Sequence, residues 1–331
     1  MNIIKIIYVT IFTVLISSID CYAQKPRKIF SHIQENNLNL ALEEYAKIKS
    51  DKVYDADEKI LFEIADCIFL INKSYPKYNP IESINHFNRI YFDGFIIYAI
   101  EDKDAIIKFL SKYDLTLEYI SSNIYIEIVN EAKKINTVKS YDKALEVCSD
   151  KYRFELAQLK EEAFYKQTIN ERTIGAYKTF ILNYSNSKHV SEIQVLLERK
   201  VLDNAKSNQS VADLNTFIIE YATSNLKQEA TDFRDSIVLS KVLNTYDSML
   251  AFTKEYPNSK YLKGVESKLP DLLYNEAVLA NTFESLSRFI KEFPQDARII
   301  NVNKKISELP FTEISINKIL SNHNYTTNYL L

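Results

Sequence analysis

The chain has 331 residues, 46% of them hydrophobic and 26% charged, with a formal net charge of −3. That is an ordinary globular composition. Acidic and basic residues alternate with no basic stripe to neutralise phosphates, so no nucleic-acid partner is expected. Only three glycines occur, Gly94, Gly175 and Gly264, too few for β-rich or phosphate-loop folds, and their scarcity predicts an all-α chain.

Residues 1–23 read as an address. Lys5 supplies the positive start, Ile6 to Ile16 the apolar stretch, and Cys21-Tyr22-Ala23 puts small residues, Cys21 and Ala23, at −3 and −1 of a cut before Gln24. This predicts a cleaved secretory signal peptide and export to the periplasm or an outer-membrane-associated position. An uncleaved anchor is the alternative, but Ile3 to Ile19 sits at the lower limit for spanning a bilayer. Lipidation on Cys21 is disfavoured by Asp20 before it. Cleavage leaves Cys67 and Cys148. Both stand at apolar helix positions, far apart in a fold of local contacts, so no disulfide is expected.

Residues 24–101 predict helical repeats of irregular register. Leu38 to Lys49 and Asp57 to Asn72 read as an antiparallel pair joined by a polar turn. Pro80, Ile81, Ile84, Phe87 and Tyr91 mark a further helix. Phe87 lies 22 residues before Phe109, which breaks the spacing that follows.

Residues 102–309 repeat one grammar. Asp102, Ile106, Phe109 and Tyr113 introduce it, with 117–134 as the partner helix. Phe180, Phe217, Phe252 and Phe289 then stand 37, 35 and 37 residues apart. Four residues after each comes Tyr184, Tyr221, Tyr256 or Phe293. A fainter copy has Ala144 and Cys148 in the two aromatic places. Seven residues before the anchor stand Thr137, Thr173, Ser210, Thr245 and Thr282, whose hydroxyls suit a helix N-cap. Val138, Ile174, Val211, Tyr246 and Phe283 lie six before it, and Tyr141, Tyr177, Leu214, Met249 and Leu286 three before. Offsets −6, −3, 0 and +4 form a single stripe on a helix.

Pro257 and Pro294 stop that helix in two copies. Ser187, Ser224, Ser259 and Asp296 then predict the N-caps of second helices. The second helices carry stripes at Val190, Ile193, Leu197, Val201; Leu226, Ala230, Phe233, Ile237; and Leu262, Val265, Leu269, Leu272. Pro270 predicts a kink or break near Leu269. A period of 35–37 residues predicts antiparallel helix pairs stacked as an α-solenoid. The tail, 310–331, leaves the grammar as a cap, a docking strand or the stump of a further domain.

Catalytic chemistry has no sequence signature here. His32, His86, His189 and His323 are scattered, and no zinc, nucleotide or nucleophile-elbow motif occurs. Adjacent carboxylates such as Glu43-Glu44 and Glu161-Glu162 diverge on a helix. The expectation is a non-enzyme without metal or cofactor.

The segments Phe252-Thr-Lys-Glu-Tyr256-Pro-Asn-Ser259 and Phe289-Ile-Lys-Glu-Phe293-Pro-Gln-Asp296 resemble tetratricopeptide-type repeats. They are most similar to those of exported bacterial envelope proteins, the outer-membrane assembly lipoproteins and the Tol-Pal periplasmic proteins. The Gly–Tyr signature of standard units is missing. The resemblance implies a right-handed solenoid with helices at about 188–206, 226–242 and 260–279 on its concave face. Glu198, Arg199, Arg234, Asp235 and Lys268 would then meet a ligand, although a solvated surface explains each as well. The resulting expectation is an exported scaffold of the cell envelope that binds a protein or peptide, with peripheral membrane association. The alternative is an accessory solenoid that binds a glycan or other ligand, or the helical part of a protein whose active domain is absent.

Overall fold

The computed structural model describes residues 24–49, 56–91 and 103–310. The expected signal peptide, Gly94, the Asp102 cap and the tail beyond Pro310 lie outside them. The described residues form helices and turns with no strand, and the helices pack chiefly against neighbours in sequence. The chain divides into two compact units, Met1–Arg172 and Thr173–Leu331.

The first unit contains α1 (Gln24–Gln34), α2 (Leu38–Lys49), α3 (Ala56–Leu70), α4 (Pro80–Arg89), α5 (Lys103–Ser111), α6 (Leu117–Ile135), α7 (Val138–Val147) and α8 (Asp150–Glu171). The predicted pairing of 38–49 with 57–72 is not the close one. α2 packs on α1, whose Ile29 and Phe30 are fully buried, and α3 packs on α4. α4 also meets α6 and α7. A single apolar core therefore runs through this unit from Ile29 to Ala163. Phe109 is only half-buried while Leu110 fills the core, so the stripe expected at Phe109 is shifted by one residue. Cys67 and Cys148 are buried free thiols. Burial pushes the Cys148 pKa up to about 11, leaving it a packing residue and a poor nucleophile.

The second unit contains α9 (Ile174–Asn183), α10 (Val190–Ser207), α11 (Val211–Glu220), α12 (Lys227–Lys241), α13 (Tyr246–Glu255), α14 (Leu262–Glu266), α15 (Leu269–Ala280), α16 (Phe283–Glu292) and α17 (Ile299–Ser307). Its core is a set of local clusters. Leu202, Ala205, Leu214, Phe217, Ala230 and Ile237 make one. A second is centred on Phe252 and Phe289. Burying each phenylalanine contributes about 1.5–3 kcal/mol.

Backbone chemistry accounts for the repeat boundaries. Thr137, Thr173, Ser210, Thr245 and Thr282 are all N-caps, each accepting from the backbone N–H three residues on. That satisfies a donor the first helical turn otherwise leaves free. The aromatic at +4 is the C-cap. The N–H groups of Tyr184, Tyr221, Tyr256 and Phe293 each donate to the carbonyl of the anchor Phe at 2.9 Å. The rings meet at centroid distances of 5.4, 4.9, 5.1 and 5.8 Å.

Ser187, Ser224, Ser259 and Asp296 are not the N-caps of the second helices. Those are His189, Leu226, Tyr261 and Arg298, none with a side-chain cap bond. The predicted residues stand two positions earlier, and each accepts from the N–H two residues on. This local turn competes with a helix start and places a tight turn before it. Pro270 breaks its helix as expected: α14 ends at Glu266, and α15 restarts with the proline in its first turn, where a missing N–H costs nothing.

Few glycines do not mean few left-handed residues. Asn36, Asp114, Asn136, Arg172, Gln209 and Asn281 all have φ between 47° and 59°, and neither described glycine has a positive φ. Left-handed residues are needed at helix ends. This chain fills three of those six positions with asparagine, whose short amide tolerates that region, so scarce glycine is no sign that few such positions exist.

Candidate interaction surface

The five residues expected to face a ligand are placed very differently. Arg199 on α10 donates through Nη1 to both carboxylate oxygens of Glu229 on α12, at 3.0 Å each, and Lys206 joins the same carboxylate. Hydrogen bonds from Lys206 and Arg199 hold the Glu229 carboxyl below its ordinary pKa. Glu198 is half-buried and accepts from Gln194 Nε2 at 2.9 Å. Lys268 is exposed between α14 and α15.

Asp235 does not face outward. It is 1% exposed, and Arg234 donates to its Oδ1 through Nε at 2.8 Å and Nη2 at 2.6 Å. The Arg234 Nη1 reaches Asn215 Oδ1 at 3.2 Å, and the guanidinium lies 5.1 Å from the centre of the Tyr256 ring. Arg234 and Asp235 therefore tie α11, α12 and α13 together, which is an internal use of charge. No hydrogen bond or ion pair joins Glu198, Arg234–Asp235 and Lys268 into one constellation among the described residues.

Similar ties recur along the second unit. Arg288 pairs with Asp247 and lies 5.0 Å from the Tyr246 ring centre. Arg298 holds Asp296 and Asp271, each with a contact at 2.7 Å, and sits 4.7 Å from the Tyr274 ring centre. A flat guanidinium suits this task because it can bond a carboxylate at its edge and an aromatic ring at its face. The polar groups are thus committed largely to holding neighbouring pairs together.

Apolar surface is left over. Leu182 and Ile219, both two residues after an anchor Phe, are 81% and 75% exposed. Lys254 and Lys291 occupy that place in the next two copies and are exposed too. One position of the repeat is therefore free of any core duty, and it changes from apolar to cationic along the unit. Its offset is visible in the sequence, but it lies off the apolar stripe that marks the buried face.

The first unit holds a cavity of about 600 Å³ that opens to solvent. The α1–α2 turn, the end of α3 and the α5–α6 turn converge on it. Lys73 Nζ stands 2.9 Å from Glu127 at its edge, and Tyr78 Oη donates to Glu127 at 2.8 Å. Burial alone would raise the Glu127 pKa, but bonds from Lys73 and Tyr78 outweigh it and hold the carboxyl below its ordinary value. No motif pointed here, since the lining comes from three segments without a common period.

Among the described residues, no group of three or more His, Cys, Asp or Glu is placed to hold a metal ion. No described helix is long and apolar enough to cross a membrane. No protein-family model, curated protein or solved structure matches the chain.

Proposed function

We propose that the chain is an exported scaffold of the bacterial cell envelope that works by binding a protein or peptide, without catalysing a reaction. Its repeats would stack as a right-handed, tetratricopeptide-like α-solenoid, and residues 1–23 would direct export. The observation that carries this reading is the repeated helix pair, in which charges hold pairs to each other while one surface position stays exposed and apolar in adjacent copies. A scaffold built this way offers a regular surface at fixed spacing, which suits recognition of an extended partner.

The test is cross-linking in the native host, with tagged protein recovered from the envelope fraction. One reproducible envelope partner, lost in a Leu182→Asp, Ile219→Asp double variant of unchanged thermal midpoint, is the expected result. Tagged protein confined to the cytoplasm, or recovered repeatedly with no partner, would overturn the proposal.

A further inference from the structure

The cavity of the first unit has a chemistry more specific than its size. Its floor is aliphatic: Ile33, Leu38, Ile68, Ile71, Leu115 and Ile120 line it. Its rim is rich in carboxamides. Asn36, Asn72 and Asn123 all stand there. Asn72 Oδ1 already accepts from the Ser74 N–H at 3.0 Å, which leaves its NH₂ as a donor. The side chains of Asn36 and Asn123 enter none of the hydrogen bonds among the described residues, and each carries both a donor and an acceptor. Tyr119, at 55% exposure, stands at the same edge.

Charge narrows the occupant. Lys73 is spent on Glu127. Asp114 accepts from Gln34 Nε2 at 2.7 Å, a neutral donor that leaves its charge uncompensated. Among the described residues the rim therefore carries surplus negative charge and its one lysine is already paired, so a phosphate or carboxylate would lack a counter-charge there. The aliphatic floor is a poor match for a sugar, whose hydroxyls would lose water there without replacement. A volume of about 600 Å³ falls within the usual range for a bound organic group. What combines an apolar body with closely spaced N–H and C=O groups, and tolerates negative surroundings, is a peptide with a bulky apolar side chain.

We infer that this cavity is a docking site for an extended peptide segment whose bulky apolar residue fills the aliphatic floor. The flanking peptide groups pair with the Asn36, Asn72 and Asn123 carboxamides, and the neighbouring residues are neutral or basic. This rests on the binding reading proposed above and gives it a first recognition element.

The experiment uses the purified full chain on an array of ten-residue peptides. Each has a central Leu, Ile, Phe or Met between neutral, basic or acidic flanks, with central-Ser peptides as controls. Apolar centres with neutral or basic flanks are expected to bind, and acidic flanks to weaken binding. Asn36→Gly keeps the left-handed backbone while removing the amide. Asn36→Gly and Asn123→Ala are each expected to weaken binding about tenfold, as loss of one hydrogen bond in such a site does. Asn123→Trp should block the cavity. Asp114→Asn should reduce the preference for basic flanks, and thermal midpoints should stay within a few degrees.

Absence of peptide binding, binding best with acidic flanks, or binding unaffected by Asn123→Ala and Asn123→Trp would overturn the site. Uptake of the neutral dye Nile red without any peptide binding would also overturn it and assign the cavity to a free small molecule. If the array stays silent while cross-linking in the envelope returns a partner, the site falls and the scaffold reading stands. If peptides bind as described but no envelope partner exists, the site stands and the scaffold reading falls.

Discussion

The two units use the same helix pairs but bury them differently. In Met1–Arg172 one apolar core joins helices far apart in sequence, and α4 alone touches α3, α6 and α7. In Thr173–Leu331 the clusters are local, and arginines tie one pair to the next. A shared core draws segments far apart in sequence together, and they leave a cavity between them. Local clusters make a regular surface whose features recur at fixed spacing.

The largest expected effect separates the two. Phe30→Ala in the first unit and Phe217→Ala in the second both empty a fully buried ring site, at about 3–5 kcal/mol each. Native-state hydrogen exchange is expected to show Phe30→Ala loosening the first unit as a whole. Phe217→Ala should loosen α11, α12 and the end of α10 well before α16 and α17. Uniform loss of protection through the second unit would erase the distinction.

Caps come next. Thr282→Ala removes the side-chain bond to the Ser285 N–H and should lower stability by about 1 kcal/mol, read from chemical denaturation. Thr282→Ser should restore most of it. Thr137→Ala, at the same offset in the first unit, sharpens the comparison, because its anchor is Ala144 in place of Phe. Equal costs would mean that the cap acts independently of the ring below it.

Acid reaches the second unit through its ties. Bonds from the Arg298 side chain and backbone hold the Asp296 pKa down to about 2. A carboxylate depressed in the folded state stabilises above its ordinary pKa, and that stability is lost as pH falls from the ordinary value towards 2. Asp296→Asn should flatten the stability–pH curve between about pH 4 and 2, because it lowers stability slightly at neutral pH, where the charged tie is fully formed, and converges with the unaltered chain in acid. A curve of unchanged shape would remove this tie from the account.

The smallest effect is a gain. Gly264 lies in a helix, and a Cβ there would meet no atom within 4 Å beyond its chain neighbours and its own helix backbone. Gly264→Ala should stabilise by about 0.5–1 kcal/mol, chiefly by restricting the unfolded chain. A loss instead would show that the α14–α15 break depends on glycine.

The difference between the units also explains what the sequence made legible. Thr173, Ser210, Thr245 and Thr282, the phenylalanine anchors and Pro270 act on their own helix or its partner, so a spacing reveals them. Ser187 and its counterparts have the right chemistry but sit two residues early, because the same side chain supports a turn as readily as a cap. Leu202 and Ala205 were missed since α10 carries a second apolar face towards α11. Asp235 reads as a surface charge, and only the Arg234 beside it, folded back over Tyr256, explains its burial. The cavity was invisible because Ile33, Ile71 and Ile120 meet only through tertiary packing.

The most direct test of the central claim is photo-cross-linking in living cells from the repeat position that is exposed and carries a large apolar side chain in two adjacent copies. A photoreactive residue would replace Leu182 or Ile219 in the full chain, with Asp235 as a buried control. The account predicts the same envelope protein or peptide captured from both exposed positions and none from the buried one. No capture from either exposed position, or equal capture from all three, would contradict it.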